Sequence, residues 1–307
     1  MKPNLPVWRS MLFVPVTQRR FVEGAAKRGA DAIILDLDLE DAVAASEKDR
    51  ARILVPEAAA LVSRGGADVV VRINRPVRMT VRDLEAVIGP GVQAIALPKA
   101  ESPEHVQLVA EIIDEIEAER GMAIGTTKML AMVETCSAFF RIAEIAKASP
   151  RLVALNLGAE DFALSAGMVP EAEGLFMPKQ TAIFAARAAG IMPMGFIGTV
   201  ADFSDLDAFR QTVRRSRRLS FFGASVIHPS QVAILNEEFR PSPAEVEHGR
   251  RVVAAYDKAL AEGVGAVTVD GKMIDVPVVE RARLLVEREE AIAAREARMQ
   301  AMMASLS

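Results

Sequence analysis

The sequence predicts an α/β protein, a (β/α)8 TIM barrel with a C-terminal helical extension. Eight short runs rich in Ile, Val and Leu recur along the chain. They are nearly continuous rather than alternating, as in strands buried on both faces of a parallel sheet. Helical patterns fill the gaps between them, and the alternation takes roughly 230 residues, close to the length of one barrel. An open doubly wound sheet is the alternative that the same pattern allows.

The expected strands are residues 11–15, 32–37, 69–74, 94–98, 128–134, 152–157, 194–198 and 224–228. The plainest helix is 103–120, with Val106, Val109, Ile112, Ile113 and Ile116 on one stripe and acids opposite. Ser102 before Pro103 is a helix start. Further helices are expected at about 18–28, 46–62, 138–147, 175–188 and 205–219. Residues 1–240 are read as the barrel and 241–307 as the extension, which packs on a neighbouring subunit. In the extension, Pro241-Ser242-Pro243 opens a helix to about 262. A glycine-rich break follows at 263–271, and a long helix runs from 276.

The 307 residues are 51% hydrophobic and 25% charged, enough apolar material for a large core and too much for a disordered chain. A formal charge of −4 argues against general nucleic-acid or membrane-surface binding, which needs a basic face. One cysteine, Cys136, permits no internal disulfide, and no signal peptide or membrane span is read, so a cytoplasmic protein is expected. The basic cluster Arg214, Arg215, Arg217 and Arg218 suits a helix C-terminus. No G-x-S-x-G elbow, P-loop or G-x-G-x-x-G occurs. Three scattered histidines give no zinc spacing, so a metal would be held by oxygens.

A barrel carries its chemistry at the C-terminal ends of its strands. Those ends hold Pro15 and Thr17, then Asp38, Glu40 and Asp41, then Arg72 and Asn74, then Lys99, Glu134, Glu160 with Asp161, and His228. Carboxylates so concentrated repel one another without a cation. Glu134 and Asp161 on adjacent strands, with Glu40 and Asp41 across the mouth, suit a magnesium ion that keeps several waters. The same acids also suit ordinary helix capping. Arg72, inside the apolar run VVVRIN, needs an anionic partner, and a substrate carboxylate gripped at two points would serve. Lys99 is either a counter-ion to the acids or a group of the site. His228 is either structural or a ligand contact.

The segments RSMLFVPVTQRR, GADAIILDLDLEDAV, VVVRIN, ALPKAE, MVET, LGAEDFA, SVIHPSQV and DGKMIDVPVVERA occur in this order. Together they closely resemble the citrate lyase beta subunit and its relatives, the malyl-CoA and citramalyl-CoA lyases of the HpcH/HpaI aldolase/citrate lyase superfamily. The similarity runs from about Arg9 to Arg283. It implies a barrel with an extension, assembled as homotrimers or hexamers. It implies direct magnesium ligation by Glu134 and Asp161, metal-bound waters held by Glu40 and Asp41, and substrate binding with enolate stabilisation by Arg72. It implies CoA-ester contacts around Pro15 and Thr17. It gives Asp275 the proton transfer, delivered from a neighbouring subunit; the residue's own alternative is a helix cap. Three departures stand out: Val16 replaces a glycine, LDLDLED carries an apparent two-residue duplication, and the loop GFIGTVADF lacks an aspartate near Thr199. Two extra residues keep each side chain on its face but shift the acids by about 6.6 Å unless absorbed.

The function expected is a magnesium-dependent carbon–carbon lyase. It would cleave or form a 3-hydroxyacyl-CoA such as malyl-CoA or citramalyl-CoA, with acetyl-CoA and a 2-oxo acid as the other side of the reaction. A malyl-CoA thioesterase on the same scaffold and a non-catalytic CoA-ester-binding or complex subunit are the alternatives.

Overall fold

The computed structural model describes residues 5–37, 47–198 and 205–305. The chain divides into two compact units: one runs to Phe239 and takes in the residues from Met302 on, and the other is Arg240–Ala301. The strands of the first unit are β1 (Ser10–Pro15), β2 (Ala32–Asp36), β3 (Asp68–Arg72), β4 (Ala94–Leu97), β5 (Lys128–Val133), β6 (Leu152–Leu157), β7 (Met192–Met194) and β8 (Ala224–Val226). All pair in parallel in the order β7-β6-β5-β4-β3-β2-β1-β8. A bridge between Met194 and Gly223 closes the ring, where the Gly195 N–H donates to the Gly223 carbonyl at 2.8 Å. This is the barrel the sequence predicts.

The helices around it are α1 (Arg19–Ala25), α2 (Lys48–Val62), α3 (Val77–Val87), α4 (Pro103–Glu119), α5 (Cys136–Phe139), α6 (Ile142–Lys147), α7 (Ala159–Ala166), α8 (Ala172–Ala188), α9 (Leu206–Arg218) and α10 (Ser230–Glu238). Helix α4 starts where expected, with the Ser102 hydroxyl accepting the His105 N–H. The single helix expected over 138–147 is instead two, α5 and α6. Between them Arg141 leaves the helical region and is held by Glu104 and Glu144. Helix α3 has no counterpart in the sequence reading; its buried face is mixed, with the polar Thr80 and Asp83 beside Leu84 and Val87.

Strand alternation sorts the core into two clusters. Met11, Ala32, Ile34, Val70, Ala94, Ala96, Leu130, Met132, Ala154, Met192 and Met194 fill the barrel interior with strand side chains. Their neighbours Leu12, Ile33, Leu35, Val69, Val71, Ile95, Ala131 and Leu155 pack outward with the helices. A β-bulge opposite Met129 and Leu130 resets β6 so that Ala154 and Asn156 face inward. At the other end, Arg9 donates three bonds to Asp31 between 2.8 and 3.0 Å, and both are almost fully buried.

In the second unit, α11 (Pro243–Ala261) opens with the Ser242–Glu245 capping box and Pro243 in its first turn. The glycine-rich break is in fact a hairpin. Strand β9 (Val267–Val269) pairs antiparallel with β10 (Lys272–Ile274) through Asp270 and Gly271, at φ of 49° and 75°. Asp-Gly between short alternating runs is a hairpin signal. Helix α12 (Val276–Ala304) follows, and Arg240 pairs with its Glu289 and Glu296. Among the described residues no helix is long and apolar enough to cross a membrane.

The barrel seam generates one prediction. A Cβ on Gly223 would lie 1.8 Å from the Trp8 carbonyl oxygen and 2.8 Å from Arg9 Cα. Gly223→Ala therefore forces two main chains apart and should destabilise the protein by at least about 2 kcal/mol in urea unfolding. A loss within about 0.5 kcal/mol, the range of an inconsequential surface change, would contradict the close approach.

Candidate active site at the strand ends

The inner rows of the barrel run on into polar residues at the C-terminal ends. Beyond Ile34 the next inward position is Asp36; beyond Val70 it is Arg72; beyond Met132 it is Glu134; beyond Ala154 it is Asn156. These four side chains line one cavity of about 810 Å³. Phe13, Pro15, Gly158, Glu160, Asp161 and Lys179 line it too.

Arg72 has the anionic partner that its surroundings require, and that partner is Asp36 rather than a substrate. The guanidinium donates from Nε at 2.8 Å and from Nη2 at 2.6 Å, one bond to each carboxylate oxygen. The Phe13 ring lies 4.8 Å from Arg72 Cζ. This two-point pairing fixes the plane of the guanidinium. The sequence reading passes over Asp36. The signal that marks it is strand parity, since it is the next inward position of β2.

Glu134 is 4% exposed. The Lys99 N–H donates to its Oε2 at 2.8 Å. Lys99 reaches that position with φ at 45°, a left-handed backbone that costs a non-glycine residue about 1–2 kcal/mol. On the other side stands Gly158, the N-cap of α7, where a Cβ would lie 2.7 Å from Glu134 Cγ and Oε1. Burial pushes the Glu134 carboxyl up to about 7 against the Lys99 N–H; the charge of Asp161 adds to the rise, while the cations Arg72 and Lys99 oppose it.

Asp161 lies in the first turn of α7 rather than before the helix, and Lys99 Nζ is 3.5 Å from its Oδ1. Lys99 is thus counter-ion to Asp161 as well as main-chain donor to Glu134, and it is not among the cavity-lining residues. His228 lies exposed on the cavity rim, and its Nδ1 is 2.7 Å from the Ser230 hydroxyl at the start of α10. Pro15 lines the cavity and Thr17 does not. Val16, which departs from the family glycine, packs outward in the shell between barrel and helices. Asp38, Glu40, Asp41 and Thr199 lie outside the described residues, so the duplication in LDLDLED is described only as far as Leu37. Asp275 belongs to the second unit, where its carbonyl accepts the Val279 N–H at the start of α12.

The donor set fits a hard divalent ion. Glu134 and Asp161 offer oxygens only, and the Glu134 carboxyl, raised first by burial and further by the charge of Asp161, is one that a cation beside it would favour in its charged form. Among the described residues no group of three or more His, Cys, Asp or Glu gathers. An ion there would take two protein carboxylates and keep other positions for water or substrate, the habit of magnesium.

The sequence reading also misses Asn156, Lys179 and the cationic wall opposite. Arg20, Phe21, Gly24, Ala25 and Arg28 line the cavity, and their spacing is one helical stripe along and beyond α1.

The buried carboxyl gives a pH prediction. An acid whose pKa rises from 4.5 unfolded to about 7 folded takes up a proton on folding. Stability contributed by that group therefore falls as pH rises through this window, and the full penalty stands above it. Glu134→Gln should raise the melting temperature of the EDTA-treated protein at pH 8 and change it little at pH 4.5. An unchanged or lower melting temperature at pH 8 would mean that the carboxyl is not buried as described.

Comparison with known proteins agrees with this fold. The HpcH/HpaI aldolase/citrate lyase family model matches residues 9–229. The citrate lyase subunit beta of Escherichia coli (strain K12) is 38% identical over 291 residues, 94% of this chain and 95% of that protein. The L-malyl-CoA/beta-methylmalyl-CoA lyase of Rhodobacter capsulatus is 35% identical over 305 residues, 92% and 94% of the two chains. Among solved structures, the CitE protein of Mycobacterium tuberculosis, in complex with magnesium, acetoacetate and coenzyme A, matches with a TM-score of 0.70 at 30% identity. That match covers 92% of this chain and 97% of the other. With a matched segment that takes in all eight barrel strands, and relatives alike over nearly their full length, the chain belongs to the HpcH/HpaI aldolase/citrate lyase family.

Proposed function

We propose that this protein is a magnesium-dependent carbon–carbon lyase of 3-hydroxyacyl-CoA thioesters such as malyl-CoA or citramalyl-CoA. It cleaves them to acetyl-CoA and a 2-oxo acid, or runs the reverse condensation. The observation that carries the reading is Arg72, held flat by Asp36 at the cavity wall that also bears Glu134 and Asp161. Breaking the carbon–carbon bond leaves an enolate, a strong base that needs a preorganised positive charge. Arg72 supplies it without a reorganisation step, because its plane is already set.

Glu134 and Asp161 are the groups that would hold magnesium, with Glu40 and Asp41 keeping its waters. The ion would supply the positive charge that polarises the oxygens of the 2-oxo acid. The cavity volume exceeds what a small oxo acid fills, and Arg20 and Arg28 on its other wall suit the phosphates of CoA. Pro15 and His228 on the cavity lining, with Thr17 near Pro15 in sequence, would contact the CoA ester, and Lys99 would keep Asp161 oriented. Asp275 of a neighbouring chain would carry the proton on and off the acetyl carbon, which requires a homo-oligomer, a trimer or hexamer on the family resemblance. A cytoplasmic setting fits the single cysteine.

Product analysis tests the reading. With magnesium, malyl-CoA or citramalyl-CoA should give acetyl-CoA with glyoxylate or pyruvate, and EDTA should abolish the reaction. Free malate with CoA would make the protein a thioesterase, and no turnover of any thioester would make it a binding subunit. Arg72→Lys loses the two-point geometry, so kcat/KM should fall by a charge-assisted hydrogen bond's worth, roughly 1.5–3 kcal/mol. Near-wild-type kinetics in that variant would leave Arg72 a structural partner of Asp36.

The shared site is tested by complementation. Glu134→Gln and Asp275→Ala should each be inactive alone, and mixed oligomers of the two should regain a fraction of wild-type activity. Mixed oligomers that form, as a tagged pull-down shows, but stay inactive would confine Asp275 to its own chain or to a capping role.

A further inference from the structure

The cavity has one buried cation that the proposed chemistry does not use. Lys179 sits within α8 and is 4% exposed. Its ammonium donates to the main-chain carbonyls of Phe196 and Gly198, the latter at 2.5 Å, and lies 5.5 Å from the Phe196 ring centroid. Gly195, Phe196 and Gly198 line the cavity together with Lys179. The Ser216 hydroxyl of α9 accepts the Ile197 N–H at 2.9 Å and donates to the Thr212 carbonyl at 2.7 Å. Two helices therefore grip successive main-chain groups of one short segment.

The segment needs that grip. Strand β7 ends at Met194, so residues 195–198 lie beyond its ladder. Gly195 and Gly198 take φ of 128° and 143°, a backbone that side-chain-bearing residues rarely adopt. A Cβ on Gly195 would lie 3.2 Å from Asn156 Oδ1, so this stretch also sets the distance to the cavity's inner amide. An ammonium is a costly group to bury, and packing alone would be served by a methionine of similar length. Burial pushes the Lys179 ammonium down to about 7, while the charge of Glu160 opposes the fall.

We infer that Lys179 and Ser216 are positioning residues that fix the cavity wall 195–198 and thereby the seat of the bound acid or acyl group. Neither acts on reacting atoms. The kinetic part of the test rests on the lyase reading; the exchange part does not.

The experiment compares the wild type with Lys179→Met, Lys179→Arg and Ser216→Ala. Amide hydrogen exchange of residues 195–198 should be at least tenfold faster in Lys179→Met and faster in Ser216→Ala. It should be partly restored in Lys179→Arg, which keeps donors for both carbonyls. With a CoA thioester that the wild type turns over, KM should rise at least fivefold in Lys179→Met while kcat stays within about twofold. Unaltered exchange across 195–198 overturns the inference, as does a fall in kcat at constant KM. A reduced adduct on Lys179 after borohydride treatment with pyruvate would make it a nucleophile and also overturn the inference. If Lys179→Met does not fold, Ser216→Ala decides by exchange alone. A wild type inert toward thioesters defeats the lyase reading and leaves the exchange result decisive for the wall.

Discussion

The burial of one carboxyl organises the strand-end site. Glu134 is the next inward position of β5, at a depth where a carboxylate loses most of its hydration. The chain answers with backbone rather than with a second side chain. Lys99 accepts a left-handed conformation and donates its N–H, and the glycine at position 158 leaves room for the acid's methylene and oxygen. A single N–H does not replace water, so the carboxyl keeps a raised affinity for a proton, or equally for a cation. Strain at Lys99, the glycine of LGAED and the short reach to Asp161 all follow from keeping this group poised.

Much of the fold is legible because parallel strands buried on both faces leave long apolar runs. Each expected strand falls within a few residues of the observed one, and the Ser102 and Ser242 starts hold because a cap is a local signal. Helix α3 is hidden because tertiary hydrogen bonds satisfy its buried Thr80 and Asp83; Asp83, for example, accepts from the Asn74 side chain at 2.7 Å. In the site, Glu134, Arg72 and Asp161 are legible as polar residues at the ends of apolar runs. Asp36 is passed over because it stands inside the strand run, before the acids Asp38, Glu40 and Asp41 that follow in sequence. Lys179 is illegible in principle: it lies on a helix, and the carbonyls it binds are 17 and 19 residues along the chain.

For Arg72 the sequence shows the need for an anion but not the identity of that anion. An arginine in an apolar run does demand an anion, but the barrel supplies Asp36. That changes what the guanidinium can contribute. A cation already paired has less field to offer a developing enolate than an unpaired one, although its orientation costs nothing at the moment of reaction. Precision is gained at the expense of charge.

The charge balance among the described groups then sets what else the chemistry requires. Asp36, Glu134 and Asp161 face Arg72 and Lys99, three acids against two bases. These five are neutral together only while Glu134 holds its proton; Glu160 and Lys179 add one charge of each sign to the cavity lining, and Arg20 and Arg28 add two positive ones. Exchanging that proton for a divalent ion leaves the same five side chains with one net positive charge at the wall where a substrate carboxylate would bind. On the proposed lyase reading, a divalent ion held there would strengthen the pull on the acid's carboxylate, and the acid would in turn complete the ion's coordination.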